Sequence, residues 1–234
     1  MRVWEERKLL LSQLGLADGR VRVVRTLTAL MTDSPIVKEV DYKIVQSVVR
    51  ALERVGPKKR FLKLLHTILF FQNVPIKQNQ VSVMRALLAS EDVLHLYTTA
   101  DEFSQRRQMM QREEAKTNSI DELKLLVYHA KLVELLGSCA VGRNAYAEIQ
   151  CRSLISLKMI ALTLRDASTT VAVRCAFTYF LYHVSGFDSC VLHRMMSILR
   201  RCTLNVSWNR VNFPRRTCGP LSTALQSRLI KQRN

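Results

Sequence analysis

The spacing of apolar residues constrains this chain more than any other feature. Through almost the whole length they recur three and four residues apart, the repeat that places side chains along one face of an α-helix. Only seven glycines and five prolines interrupt 234 residues. A sandwich or barrel, with a tight turn roughly every ten residues, needs more of both. The pattern therefore predicts helices throughout. No strand alternation or hairpin signal stands out, and EDVLHLYTT (residues 91–99) is the one stretch whose periodicity is ambiguous.

Start and stop signals divide the pattern into about ten short helices. The first covers residues 3–14 and ends at Gly15 and the Asp18-Gly19 turn. The second covers 21–31 and stops at Asp33-Ser34-Pro35. The third, 42–55, is opened by Asp41 and stopped by Gly56. A fourth opens at Pro57, whose missing N–H costs nothing in a first turn, and presents Phe61, Leu64, Leu65 and Ile68 as one stripe. A fifth covers 76–88, with Val83, Met84 and Leu87 inward. Two capping boxes follow. Thr99 with Glu102 opens a helix to about Lys116, and Ser119 with Glu122 opens the next. In that helix Leu123, Leu126, Val127, Ala130, Val133, Leu136 and Ala140 are expected on the core face. It stops near Gly142, and Asn144 caps a short helix, 145–149. Further helices are expected at 154–165, 169–184 and 189–201. Consecutive short helices without a composition break predict an all-α, armadillo-like α-solenoid. Its single domain is placed at residues 1–202, followed by a basic, poorly ordered tail at 203–234.

Composition narrows the function. Lys and Arg number 36 against 19 Asp and Glu, a net charge of +17. Such an excess attracts polyanions: nucleic acid, acidic lipid, inositol phosphates or acidic protein faces. Part of it is concentrated in residues 187–234, where nine Lys/Arg face the single acid Asp188. No apolar run reaches the ~20 residues that cross a bilayer, and charges stand where a signal peptide needs its apolar core. The chain alone is expected to be soluble and to face a reducing compartment. All six cysteines lie between Cys139 and Cys218 without a CxxC pair, which suits reduced thiols packed as small hydrophobes.

Chemistry is most plausible in VYHAKLVELLGSCAVGRNAYAEIQC, residues 127–151, with a histidine, two carboxylates and two cysteines. On a helix, however, His129 and Glu134 are five residues apart and differ by about 140° in direction. Glu134 and Cys139 diverge in the same way, so the HExxH arrangement is absent. The favoured reading is two packed helices around a Gly142-Arg143-Asn144 corner. His129 then lies on a helix face, Cys139 and Cys151 fill the core, and Tyr146 anchors the corner. Cys190 and His193, with Cys202 and Cys218, match no zinc-finger spacing. No Walker loop, GxGxxG, GxSxG or paired-acid arrangement occurs. No catalytic, cofactor-binding or metal-binding residue is assigned, and no enzyme is expected. Residues 57–71, PKKRFLKLLHTILFF, form a basic amphipathic segment that calmodulin or an acidic membrane could engage. Packing its apolar stripe into the protein's own core is the favoured alternative.

Three stretches, in order, resemble one family: residues 60–97 (RFLKLLHTILFFQNVPIKQNQVSVMRALLASEDVLHLY), 103–114 (FSQRRQMMQREE) and 126–157 (LVYHAKLVELLGSCAVGRNAYAEIQCRSLISL). They are similar to the cytosolic helical region shared by inositol trisphosphate and ryanodine receptors, and more to the former. The matching residues include Tyr128, His129, Glu134, Cys139, Gly142, Arg143, Asn144, Tyr146, Glu148 and Cys151, for which a structural role is expected. The resemblance implies a coupling or regulatory segment of a ligand-gated calcium-release channel at the cytosolic face of the endoplasmic reticulum. Its partners would be other segments of the same channel, and its parent a homotetramer. The chain is expected to be a fragment without pore or ligand-binding head, or a free-standing relative. A basic helical-repeat protein that binds nucleic acid, and a calmodulin or acidic-lipid target through residues 57–71, are the alternatives. The resemblance ranks nucleic acid below channel segments as a partner.

Overall fold

The computed structural model describes Leu14 and residues 21–184. Among them are nine α-helices: α1 (Val21–Met31), α2 (Tyr42–Val55), α3 (Lys59–Thr67), α4 (Lys77–Leu88), α5 (Ala100–Glu114), α6 (Ile120–Cys139), α7 (Ala145–Leu154), α8 (Leu157–Arg165) and α9 (Val171–Val184). Short 3-10 turns at Pro35–Glu39 and Glu91–Val93 and one two-stranded hairpin complete the described chain. The all-α expectation is met. The helices expected at 3–14 and 189–201, the Cys190, His193, Cys202 and Cys218 set, and the domain boundary at 202 lie outside the described residues.

Local chemistry sets most helix ends. Asp41 Oδ1 accepts the Ile44 N–H at 2.9 Å at the start of α2. At its end Gly56, with φ of 82° and ψ of −174°, donates back to Leu52 O. That backbone region is essentially open to glycine alone. Both capping boxes form. Thr99 Oγ1 accepts from Glu102 N at 3.3 Å while Glu102 accepts from Thr99 N at 3.0 Å, and Ser119 and Glu122 repeat this at 3.2 and 3.0 Å. Each cap contributes about 1 kcal/mol.

Several expectations need correction. α3 opens at Lys59, not Pro57. Pro57 follows the Gly56 reversal, and Lys58 is still extended with φ of −117°. α5 ends at Glu114, with Lys116 beyond it at φ of 55°. α6 ends at Cys139, short of Gly142, and α7 runs on to Leu154. Ser156 then caps α8, which therefore begins at Leu157, and α9 begins at Val171.

A hairpin also forms where no strand was expected: Phe70–Phe71 pairs antiparallel with Val74–Pro75. Gln72 and Asn73 make its turn, both left-handed at φ of 49° and 62°. Two positive φ values suit the tightest hairpin turn, but Gln-Asn lacks the glycine that advertises it. The ambiguous segment after α4 is the Glu91–Val93 turn followed by irregular chain.

α6 is the central helix. It packs most extensively on α9 and also meets α3, α4, α5 and α7. With neighbours on several sides, its buried face is broad, including Leu126, Tyr128, Leu132, Val133, Leu135 and Leu136. Leu123 and Val127, expected on the core face, are instead 38% and 39% exposed, lining an open groove with Pro57, Lys58 and Lys59. At the other end Gly137 brings α9 close: a Cβ there would sit 3.0 Å from Phe180 Cα. In α3 and its C-cap, Phe61, Leu64, Leu65 and Ile68 are all buried, each contributing roughly 1.5–3 kcal/mol by leaving water.

Candidate functional site

Three buried polar assemblies tie these helices together, and two of them contain residues of the 128–151 motif. The first is centred on His129 in α6. Its ring is fully buried. Nδ1 donates to His95 O at 2.9 Å, in the irregular segment before α5. Nε2 lies 3.3 Å from Arg106 Nη1 of α5. A guanidinium can only donate, so Nε2 is the acceptor and the neutral Nδ1–H tautomer is dictated by its partners. Arg106 is itself fully buried. Its Nη2 donates to Thr163 Oγ1 of α8 at 2.7 Å, and its charge lies over the Phe103 and Phe177 rings at 4.7 and 5.3 Å. Tyr97 stands edge-on to His129 at 5.1 Å. Neither the Tyr97 hydroxyl nor Arg106 Nε has a hydrogen-bond partner among the described residues.

Burial dominates the electrostatics. Desolvation, with the Arg106 charge adding to it, pulls the His129 pKa down to about 3. Desolvation likewise lowers Arg106 to about 10 and raises Tyr97 to about 12. The cluster is a neutral imidazole serving a buried cation, with no carboxylate bonded to either among the described residues. The next residue, Tyr128, donates its hydroxyl to Val93 O at 2.9 Å. Two adjacent α6 side chains thus supply hydrogen bonds to the Val93 and His95 carbonyls, in and just after the Glu91–Val93 turn.

The second assembly is the corner. Gly142 has φ of 78°, and a Cβ on it would lie 2.8 Å from Pro75 Cγ of the hairpin. Arg143 follows, exposed and also left-handed, at φ of 58°. Asn144 Oδ1 then caps α7 by accepting from Ala147 N, while its Nδ2 donates to Gln80 Oε1 of α4 at 3.0 Å. Gln80 Nε2 completes the link by donating to Ser138 O and Val141 O at 3.1 and 2.9 Å. Tyr146, half-buried, lies under the Arg85 guanidinium of α4 at 5.5 Å. The third assembly is Asn79, whose Nδ2 donates to Val37 O and Ile68 O at 2.8 and 2.7 Å.

The remaining motif residues are dispersed. Glu134 pairs with Lys131 on the surface of α6 and does not meet His129. Glu148 lies 3.7 Å from Arg152, whose guanidinium donates to Val184 O at the end of α9. Cys139 and Cys151 are buried and free. Burial pushes both thiols up, Cys151 to about 12, so neither is a ready nucleophile at neutral pH. Among the described residues no group of three or more His, Cys, Asp or Glu side chains is gathered to hold a metal.

Arg106, Thr163, Asn79 and Gln80 were not singled out from the sequence. A signal was present. Arg106 interrupts the stripe Phe103–Arg106–Met110, and Gln80 heads Gln80–Val83–Met84–Leu87, so each is a polar residue at a core position.

Residues 2–100 match the RIH domain model of ryanodine and inositol trisphosphate receptors. The chain is also 28% identical over 174 residues to the inositol 1,4,5-trisphosphate receptor itr-1 of Caenorhabditis elegans, an alignment covering 71% of this chain. Both matches are to receptors of the inositol trisphosphate and ryanodine class. The chain spans 6% of the length of the Caenorhabditis elegans receptor. No helix among the described residues is long and apolar enough to cross a membrane.

Proposed function

We propose that this inositol trisphosphate receptor-like chain is a non-enzymatic coupling segment of a ligand-gated calcium-release channel. In this reading it works at the cytosolic face of the endoplasmic reticulum within a homotetrameric parent. The observation that carries it is the likeness to a receptor of that class over 71% of the chain.

The packing supports a mechanical role. α1 and α2 meet α3 and α4, which meet α6, which meets α9. We read this succession as armadillo-like layers of an α-solenoid, in which a small rotation per layer sums to a larger displacement at the far end. The three buried assemblies then serve as rivets: His129 with Arg106, Asn144 with Gln80, and Asn79 each join chain segments distant in sequence. Rivets of this kind resist slippage, so a shift imposed at one end is passed on instead of absorbed. The ligand-binding head and the pore of the parent channel would be its two partners.

The test replaces the matching arm of a working receptor with residues 1–202 and records ligand-evoked calcium release. Coupling predicts release from the swapped receptor and none from an arm-deleted one. Equal behaviour of the two would refute it.

A further inference from the structure

The exposed apolar face of α6 belongs to a groove of about 440 Å³ between α3 and α6. Its apolar part is Ile120, Leu123 and Val127, exposed by 72%, 38% and 39%. Their spacing of three and then four residues makes one continuous stripe along α6. The rest of the lining is basic: Arg25, Lys58, Lys59, Arg60 and Lys124, with Pro57 and no acid. Lys124 bonds Asp121. None of the other four takes part in a salt bridge among the described residues. Two further groups there lack partners. The first turn of α3 has no side-chain cap, and Arg60 Nε is buried without a hydrogen bond.

We infer that this groove docks an acidic amphipathic helix presented by another polypeptide. The apolar side of such a helix covers Ile120, Leu123 and Val127, and its carboxylates meet the cations around them. The choice of occupant rests on charge and shape. A stripe ringed by cations selects against basic and neutral helices. It also lies in a concavity, which suits a helix laid into a groove better than a flat bilayer. The segment expected to attract calmodulin or lipid thus contributes its basic start, 57–60, while its own apolar stripe stays in the core. The inference does not depend on the coupling role.

The test uses the full chain and a fluorescent helical peptide of about 15 residues, with leucines at helical spacing and glutamates elsewhere. A counterpart with lysines for glutamates and vesicles of phosphatidylserine and phosphatidylcholine are the comparators. Fluorescence anisotropy is expected to show the acidic peptide binding at least about tenfold tighter than the basic one, and more weakly as salt rises. Lys59→Glu and Leu123→Asp should each weaken binding about fivefold or more, whereas Lys158→Glu, on exposed α8 surface, should not. Circular dichroism checks that each variant keeps its helices. Equal affinity for both peptides, or loss of affinity in Lys158→Glu to the same degree, overturns the inference. So does vesicle binding that Lys59→Glu and Leu123→Asp abolish while the acidic peptide fails to bind, since the groove would then be a membrane site.

Discussion

Acidification should unfold this protein earlier than its carboxylates alone dictate, and His129 should be a main reason. The ring is fully buried, and both nitrogens are committed: Nδ1–H to His95 O and Nε2 to the Arg106 donor. A proton on Nε2 would oppose donor to donor and place a second cation 3.3 Å from the first. The folded pKa is accordingly about 3, against 6.5 for the free side chain. A depressed histidine pKa means that the unfolded chain binds the proton first. The contribution is whole above pH 6.5, and is lost progressively between pH 6.5 and about 3. At about pH 5 the unfolded imidazole is about 1.5 units below its pKa and the folded one is still neutral. The loss is then about 2 kcal/mol, or a fall of roughly 4–8 °C in Tm for a chain of this size. Thermal unfolding followed by circular dichroism at about pH 7 and about pH 5 measures it. His129→Gln removes the titration while retaining an amide donor and acceptor, so its Tm should fall less over the same interval. His183, lowered to about 4 by burial, remains in both proteins and cancels. An equal fall in wild type and variant, or a nitrogen chemical shift showing His129 protonated in the folded protein at about pH 5, refutes the reasoning.

Other outcomes follow from the same geometry. Gln80→Ala removes three buried hydrogen bonds and should cost about 3 kcal/mol in urea unfolding. Asn144→Ala should cost about 2 kcal/mol, and the double variant less than the sum, because one bond is shared. Gly142→Ala should cost about 1–3 kcal/mol from its positive φ. Adding Pro75→Ala should relieve the contact with Pro75 Cγ but not the backbone strain, so stability should recover only in part. If the +17 charge marked a nucleic-acid binder, filter binding would show submicromolar RNA or DNA affinity falling steeply with salt; the coupling role predicts only weak retention.

How legible each feature was depended on whether its determinants are local. α1 and α2 begin and end where periodicity and capping residues place them. Asp41, Gly56 and the two capping boxes act within four residues of themselves, and nothing distant opposes them. The burial of Phe61, Leu64, Leu65 and Ile68 was legible for the same reason. The Gln72-Asn73 turn was not, because neither residue demands a left-handed backbone by itself. Lys58 illustrates the intermediate case: Pro57 permits a helix start, but the Gly56 reversal delays it.

The divergence of His129 from Glu134 was determined by sequence alone, since 100° per residue separates them on any helix. The same holds for the helical content, which needs only repeated apolar spacing and few glycines and prolines. Tertiary structure decided what His129 does. Its partners, Arg106, His95 O and Thr163 through Arg106, come from three separate segments outside α6, and no local rule brings them together. It also decided that Leu123 and Val127 face solvent. Periodicity reports which residues share a side of a helix, but whether that side is covered depends on where the neighbouring helices end.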